Sequence, residues 1–368
     1  MRCTFDFIMR CAIVGSGLAA FAAYATLRRG GVAAAEITVF GTHEDPTEVW
    51  RTRAEAIRQR RMRSESDGHL AAASFPGLAV REAVRRGSAA PLLATVANRY
   101  HPTVEDFLAH AGAVRARSGW ESSFCSRRVK RIRAVAEGFE LDGEGPFAHV
   151  LVALGHPGLA RPDDLPSAVH AYEPHEYASK VTVVGAGMAA ATEWLNALAA
   201  GAEVVSVRRR EPLRRPLNVP RPLFSKRGLA AFHAVGPEPR ATTLRELSTP
   251  SYPPGSAWDK PLRAAERDGR FHVAREVNGS PQVIAATGFE HGFRRDPLLA
   301  DLVDAHGLET HDRWIVLAPD STVPALTDEA RTLSLAGVAA QWAFPAADTI
   351  AGAKYAARAF LRHSCRTR

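Results

Sequence analysis

Two short stretches of this 368-residue chain combine residue types that can hold a phosphate. The first runs from Ala12-Ile13-Val14 into Gly15-Ser16-Gly17-Leu18-Ala19-Ala20. The second runs from Val181–Val184 into Gly185-Ala186-Gly187-Met188-Ala189-Ala190. Each is a β-branched run, a G-x-G-x-x-A turn and an apolar segment of helical period closed by glycine. In such a turn the first glycine permits a tight bend and the second lets the backbone approach a pyrophosphate. The alanine lets the helix pack close to its strand. The helix N-terminus adds unpaired N–H groups and a positive dipole end. The first stretch also resembles an export signal, with a charged start and small apolar residues. An export signal does not recur in mid-chain, so the repetition decides for two dinucleotide turns.

Other residues sit where chemistry is expected. Arg208-Arg209-Arg210 directly follow "EVVSV" (203–207), the second strand of the later unit, where the ribose 2′ position is read. An acid there suits NAD; arginine accommodates a 2′-phosphate through forked, charge-assisted hydrogen bonds. A solvated charge run is the plainer alternative. His170, in "LPSAVHAYEPHEY", either lines a crevice between two units or is a linker histidine satisfied by backbone. Ser64, Ser66 and His69, in "MRSESDGHL", either face a cofactor ring or cap the next element. The cysteines, Cys3, Cys11, Cys125 and Cys365, form no C-x-x-C pair and no zinc spacing. Neither a thiol relay nor a metal site is expected.

The elements that must position these residues follow from patterning. "AAEITVFGT" (34–42) reads as the second strand of the first unit, and "HPTVEDFLAHAGAVRA" (101–116) has the spacing of an amphipathic helix. "RRVKRIRAVAEGFEL" (127–141) is strand-like. His149–Leu154 is a buried-strand pattern leaving through Ala153-Leu154-Gly155, and "PQVIAATGFEHGF" (281–293) leaves through Ala286-Thr287-Gly288 in the same way. Residues 211–228 are too proline-rich for a regular element. The tail (333–362) reads as strand, loop and helix. The expectation is an α/β chain of two Rossmann-like domains. One domain, 158–288, is inserted into a discontinuous one, 1–157 and 289–368, with crossovers near 156–180 and 288–292.

Composition limits the partners. At 46% hydrophobic and 23% charged, the chain reads as a soluble globular protein, and no apolar run reaches the length of a membrane span. The net charge of +8 comes almost entirely from arginine. Its clusters, Arg58–Arg63 and Arg208–Arg215, sit where a nucleotide cofactor could use them. Nucleic-acid binding would need clustered charge with aromatic platforms. No nucleic-acid and no membrane partner is expected, and a cytoplasmic location is.

The paired turns, the two glycine strand exits and the C-terminal "AGVAAQ…ADTIAGAKYAA" together resemble the two-dinucleotide-binding-domain flavoproteins. Within them the chain is most similar to flavin-containing monooxygenases and N-hydroxylases. The resemblance covers nearly the whole chain and implies FAD at the first motif and NADPH at the inserted one. On it the FAD site takes Gly15, Ser16, Gly17, Leu18, Ala19, Ala20, Ser64, Val129, Gly155 and Gly337. The NADPH site takes Gly185, Ala186, Gly187, Met188, Ala189, Arg208, Arg209, Arg210, Thr287 and Gly288. His170 and Ser66 are the catalytic candidates. The chain departs from that pattern at Gly41 and Val338, where acids usually meet the ribose and the ribityl chain. Of the fingerprint F-x-G-x-x-x-H it keeps only His170, with Asp164 and Pro166 at the other two positions.

The implied activity is an FAD-dependent, NADPH-consuming monooxygenase. In that chemistry reduced flavin and dioxygen give a C4a-(hydro)peroxide that oxygenates a small molecule. The arrangement leaves room for a homodimer. Two alternatives stay open: an NADPH-dependent reductase passing electrons to a ferredoxin or quinone, and a non-redox nucleotide-binding protein on a degenerate scaffold.

Overall fold

A computed structural model describes residues 11–63, 69, 77–96, 100–215, 219–279 and 281–366. Two five-stranded parallel sheets organise it. In the first, strands follow the order Thr332–Leu335, His149–Val152, Cys11–Val14, Ile37–Gly41, Phe124–Ser126. In the second the order is Phe271–Ala274, Glu203–Val207, Lys180–Val184, Val283–Ala285, Val169–His170. The strands read as short apolar runs because helices cover both faces of such sheets. In the first lobe the helices Leu18–Arg29 and Ile350–Arg366 pack against each other; Gly30 lies so close to Leu361 that a β-carbon there would overlap its side chain.

Each sheet reverses its strand order beside its central strand. Cys11–Val14 lies between the next strand in sequence, Ile37–Gly41, and a late one, His149–Val152. Lys180–Val184 lies likewise between Glu203–Val207 and Val283–Ala285. The C-terminal end of such a switch point opens a crevice where ligands bind.

The chain passes between the lobes twice, and the two passages pair with each other. Leu159 and Phe289 form an antiparallel bridge, with Ala160 N–H donating to Gly288 O at 3.0 Å and Glu290 N–H to Gly158 O at 2.9 Å. The second sheet draws only on residues between 169 and 285, so one parallel unit interrupts the other.

Part of the interrupting range packs elsewhere. Val219, Leu229, Phe232, Ala241 and Leu244 join the core around Leu333, Trp342 and Phe344. The helices Lys226–Ala234 and Pro237–Leu247 carry them. His233 Nε2 meets Ala343 O at 2.7 Å, and Arg240 lies over the rings of Phe232 and Trp342. Residues 211–228, expected to be irregular, hold a short strand at Leu213–Arg214, a 3-10 turn at Arg221–Phe224 and the start of that first helix. Prolines at 220 and 222 flank or begin the turn, where a missing N–H is tolerated. The strand-like 127–141 forms a hairpin, Ile132–Val135 with Gly138–Leu141, extended by Glu144–Phe147.

Candidate functional site

The two glycine turns are built alike. Gly15 has φ +111° and its N–H donates to Phe40 O at 2.7 Å; Gly185 has φ +138° and its N–H donates to Val207 O at 3.0 Å. A β-carbon on Gly15 would overlap the carbonyl of Ala153, and one on Gly185 the carbonyl of Ala286. Both positions therefore require glycine twice over, for conformation and for space. Ala153 and Ala286 begin the two strand exits, whose glycines, Gly155 and Gly288, take φ +77° and +81°. The sequence repeat is a repeat of geometry.

Gly17 and Gly187 differ in kind from the glycines before them. Gly17 is the N-cap of Leu18–Arg29 and Gly187 the N-cap of Met188–Ala199. Both are extended, at φ −83° and −89°, a conformation open to any residue. A β-carbon on Gly17 would meet nothing within 4 Å, and one on Gly187 would only reach Pro250 Cβ at 4.0 Å. Neither helix has a side-chain cap or an acid in its first turn. Their first N–H groups and dipole ends are left for an anion, and the open space above each glycine admits one. A pyrophosphate fits both turns.

Around the first turn, Ser16 is buried and its Oγ accepts the His43 N–H at 3.3 Å. Gly41 abuts it: a β-carbon at 41 would overlap Ser16 Oγ and Cβ. His43 and Glu44 are engaged, His43 with Glu48 at 3.1 Å and Glu44 with Arg115 at 2.7 Å. Gly337 takes φ +66° beside Ala19, and Val338 follows it in a 3-10 turn. Val129 is buried in the first lobe's core.

Around the second turn, guanidiniums alternate with aromatic rings. Arg208 lies over Trp194 and pairs with Glu211 at 3.1 Å. Arg214 lies over Tyr252, whose ring packs edge-on against Trp194. Arg209 and Arg210 are exposed, and Arg209 O accepts from Arg275 at 2.6 Å. The triple arginine is thus split: its first member is enclosed and its other two face solvent. Arg214 belongs to the basic cluster Arg208–Arg215, whereas nothing in type or spacing marks Tyr252 and Trp258. Tyr252 ends a two-residue strand and Trp258 opens the helix Ser256–Arg267, both distant in sequence from the turn.

The crossovers carry a stack of rings. His156 lies on Phe289 at 4.2 Å, Tyr172 on Phe289 at 4.9 Å, and His170 on Tyr172 at 5.7 Å. Arg53 covers Phe289 at 4.7 Å. Burial, reinforced by the charges of His291 and Arg53, pushes His156 down to about 3. His170 is fully enclosed and lowered chiefly by burial, then by Arg161. Its Nδ1 accepts the Tyr172 N–H at 3.2 Å. Thr287 Oγ1 donates to Ala160 O, tying one exit to the other passage. His69 is buried against the ring of Tyr100, and burial followed by Lys354 pushes it to about 3. Ser64 and Ser66 lie outside the described residues.

A cavity opens beside the first strand exit, between Gly155, Glu290, His291, Arg313, Trp314 and Val338.

No protein-family model matches the chain, and no curated protein matches it in sequence. Solved structures do match in fold. Ornithine hydroxylase PvdA from Pseudomonas aeruginosa is 16% identical at a TM-score of 0.69, covering 96% of this chain and 99% of its own. Ornithine N-hydroxylase KtzI from Kutzneria sp. 744, solved with reduced FAD, NADP+ and L-ornithine, is 14% identical at 0.70, covering 98% and 99%. Bacillithiol disulfide reductase Bdr from Bacillus cereus is 15% identical at 0.60, covering 98% and 99%. At these identities the likeness is one of fold. The chain has the fold of the two-dinucleotide-binding-domain flavoproteins.

Proposed function

We propose that the chain is an FAD-dependent, NADPH-consuming monooxygenase acting on a small molecule. FAD is held at Gly15–Ala20 by the lobe of residues 1–157 and 289–368, and NADPH at Gly185–Ala190 by the lobe within 158–288. The observation that carries this reading is the duplicate turn: two uncapped helix N-termini, each above open space, at the switch points of two sheets joined by paired crossovers. PvdA and KtzI, similar over nearly their whole length, are hydroxylases by name, which supports the choice of reaction.

Bound flavin would take a hydride from NADPH and use dioxygen to oxygenate the substrate. The protein's part is to bind, orient and keep water out. The helix N-termini bind the two pyrophosphates. Arg208, held over Trp194, is the enclosed member of the arginine run available to a 2′-phosphate. The stack of His156, Phe289, Tyr172 and His170 fixes the crossovers and excludes water between the lobes. His170 acts there as a positioning residue, through Tyr172.

The likeness to Bdr favours one competing reading, a reductase. Oxygen consumption with FAD and NADPH separates the two. A monooxygenase consumes more oxygen on addition of its substrate and yields an oxygenated product; L-ornithine, bound in KtzI, is the first compound to test. A reductase transfers electrons to an added acceptor and incorporates no oxygen.

A further inference from the structure

The basic run Arg58–Arg63 ends on a side chain that crosses between the lobes. Arg63 Nη2 donates to Thr192 Oγ1 at 2.7 Å, on the second turn of the helix Met188–Ala199. Thr192 Oγ1 donates in turn to Met188 O at 2.7 Å. One turn further on, Asn196 Nδ2 donates to Ile57 O at 2.8 Å. Thr192 and Asn196, one helical turn apart, therefore lie against Arg63 and Ile57 of the first lobe. The Arg63 guanidinium also faces the ring of Trp258, 5.6 Å from its centroid.

Among the described residues no carboxylate pairs with this half-buried cation. Burial lowers Arg63, and among the described residues the acidic groups acting on it are the Tyr172 hydroxyl and Glu193. Glu193 already binds His175 Nε2 at 2.9 Å and the Tyr177 hydroxyl at 2.8 Å. A guanidinium carries five N–H donors, and a neutral threonine oxygen satisfies one. A desolvated charge in this state calls for an anion. The uncapped N-terminus of the same helix, with no acid in its first turn, lies one turn from Thr192.

We propose that Arg63 is a ligand of the pyrophosphate held at Gly185–Ala190, so that a cation of one lobe clamps the nucleotide bound by the other. The proposal rests on the dinucleotide reading of that turn and adds a contact that NAD and NADP share. It is distinct from the 2′-phosphate contact of Arg208, which only NADP can make.

The test is equilibrium titration of the full-length, FAD-treated protein with NADP+ and NAD+, by calorimetry, with the thermal midpoint measured alongside. Arg63→Gln is expected to weaken both nucleotides by the same factor, about ten-fold, the loss of one charge-assisted hydrogen bond. Arg63→Lys keeps the charge and loses less. Thr192→Val removes the bond between Arg63 and Thr192 but not the cation, and keeps both affinities within about two-fold of wild type. An unchanged affinity in Arg63→Gln overturns the proposal. So does a loss confined to NADP+, which marks a 2′-phosphate contact, or an equal loss in Thr192→Val, which marks a mere latch. Wild-type protein that binds neither nucleotide overturns the dinucleotide reading itself, and the proposal with it.

Discussion

Gly41 is packed directly against Ser16, so closely that a β-carbon at 41 would occupy the space of the Ser16 side chain. The turn residue between the two motif glycines fills the room that a longer side chain at the end of Ile37–Gly41 would need. Gly41 and Ser16 therefore share one space, and a larger side chain at 41 needs a smaller one at 16.

Gly41→Glu should fail to restore a ribose contact. It should destabilise the protein by about 1–3 kcal/mol, the usual cost of overpacking, and weaken FAD. Adding Ser16→Gly should recover most of that loss. Urea unfolding and flavin-fluorescence titration of the single and double variants check this. A stable, tighter-binding Gly41→Glu would show that Ser16 moves aside freely.

Gly15 and Gly17 should separate fold from binding. Gly15→Ala places a methyl on a carbonyl at a positive φ, with an expected cost of about 2–4 kcal/mol. Gly17→Val keeps its φ and projects into open space, so stability should change by under about 1 kcal/mol while FAD binding is lost. Gly187→Val should lose NADPH and keep FAD. Thermal midpoints together with the two ligand titrations decide it; equal stability losses at 15 and 17 would contradict the distinction.

Arg208 is held by Glu211 as well as by Trp194, which sharpens the nucleotide prediction. Arg208→Ala should lower NADPH affinity by about ten- to a hundred-fold, from a charged hydrogen bond of about 1.5–3 kcal/mol, and leave NADH nearly unchanged. Glu211→Gln should strengthen NADPH modestly by freeing the guanidinium. Arg209→Ala and Arg210→Ala, at exposed positions, should do less. A larger effect at Arg209 than at Arg208 would place the phosphate on the solvent side.

Three histidines set an acid limit. Burial first, then neighbouring positive charge, pushes His69 and His156 to about 3 and His149 to about 4. Unfolded, each titrates near 6.5, so below that pH the unfolded chain binds more protons. Stability should therefore fall from about pH 6.5 toward pH 4, by up to about 1.4 kcal/mol per pH unit for each histidine. His175 behaves oppositely. Burial lowers it, but hydrogen bonds to Glu193 and the Glu173 carbonyl outweigh that and raise it. Its contribution is complete below about pH 6.5 and is lost as pH rises through the raised value. Urea midpoints across pH should show the acid slope reduced by about one proton in His156→Phe; an unchanged slope would mean that His156 protonates freely in the folded state.

How far the sequence reached depended on whether the signal was local. Gly15, Gly185 and the exits at Gly155 and Gly288 announce themselves because a glycine directly after an apolar strand marks a bend at positive φ, which all four adopt. The helix expected over 101–116 is present as Val104–Ser118, its Thr103 cap accepting the Asp106 N–H. What stayed hidden was pairing across distance. Nothing near Gly41 points to Ser16, nothing near Arg63 points to Thr192, and nothing near His233 points to Ala343. Each contact joins segments far apart in sequence whose own patterning is satisfied without it. Arg208 illustrates the middle case: the run of three was visible, but which member is enclosed depends on Trp194 and Glu211.

The central claim is that the two turns hold an electron donor and its acceptor, NADPH at one and FAD at the other. Its most direct test is rapid mixing of NADPH with the FAD-loaded protein under anaerobic conditions, following the visible absorbance of the flavin. The account predicts prompt bleaching by NADPH and slower bleaching by NADH at the same sub-saturating concentration. It also predicts bleaching in a variant with all four cysteines replaced, and none in Gly187→Val with FAD still bound. FAD that binds but is not reduced by either nucleotide, or protein that binds no FAD, would contradict it.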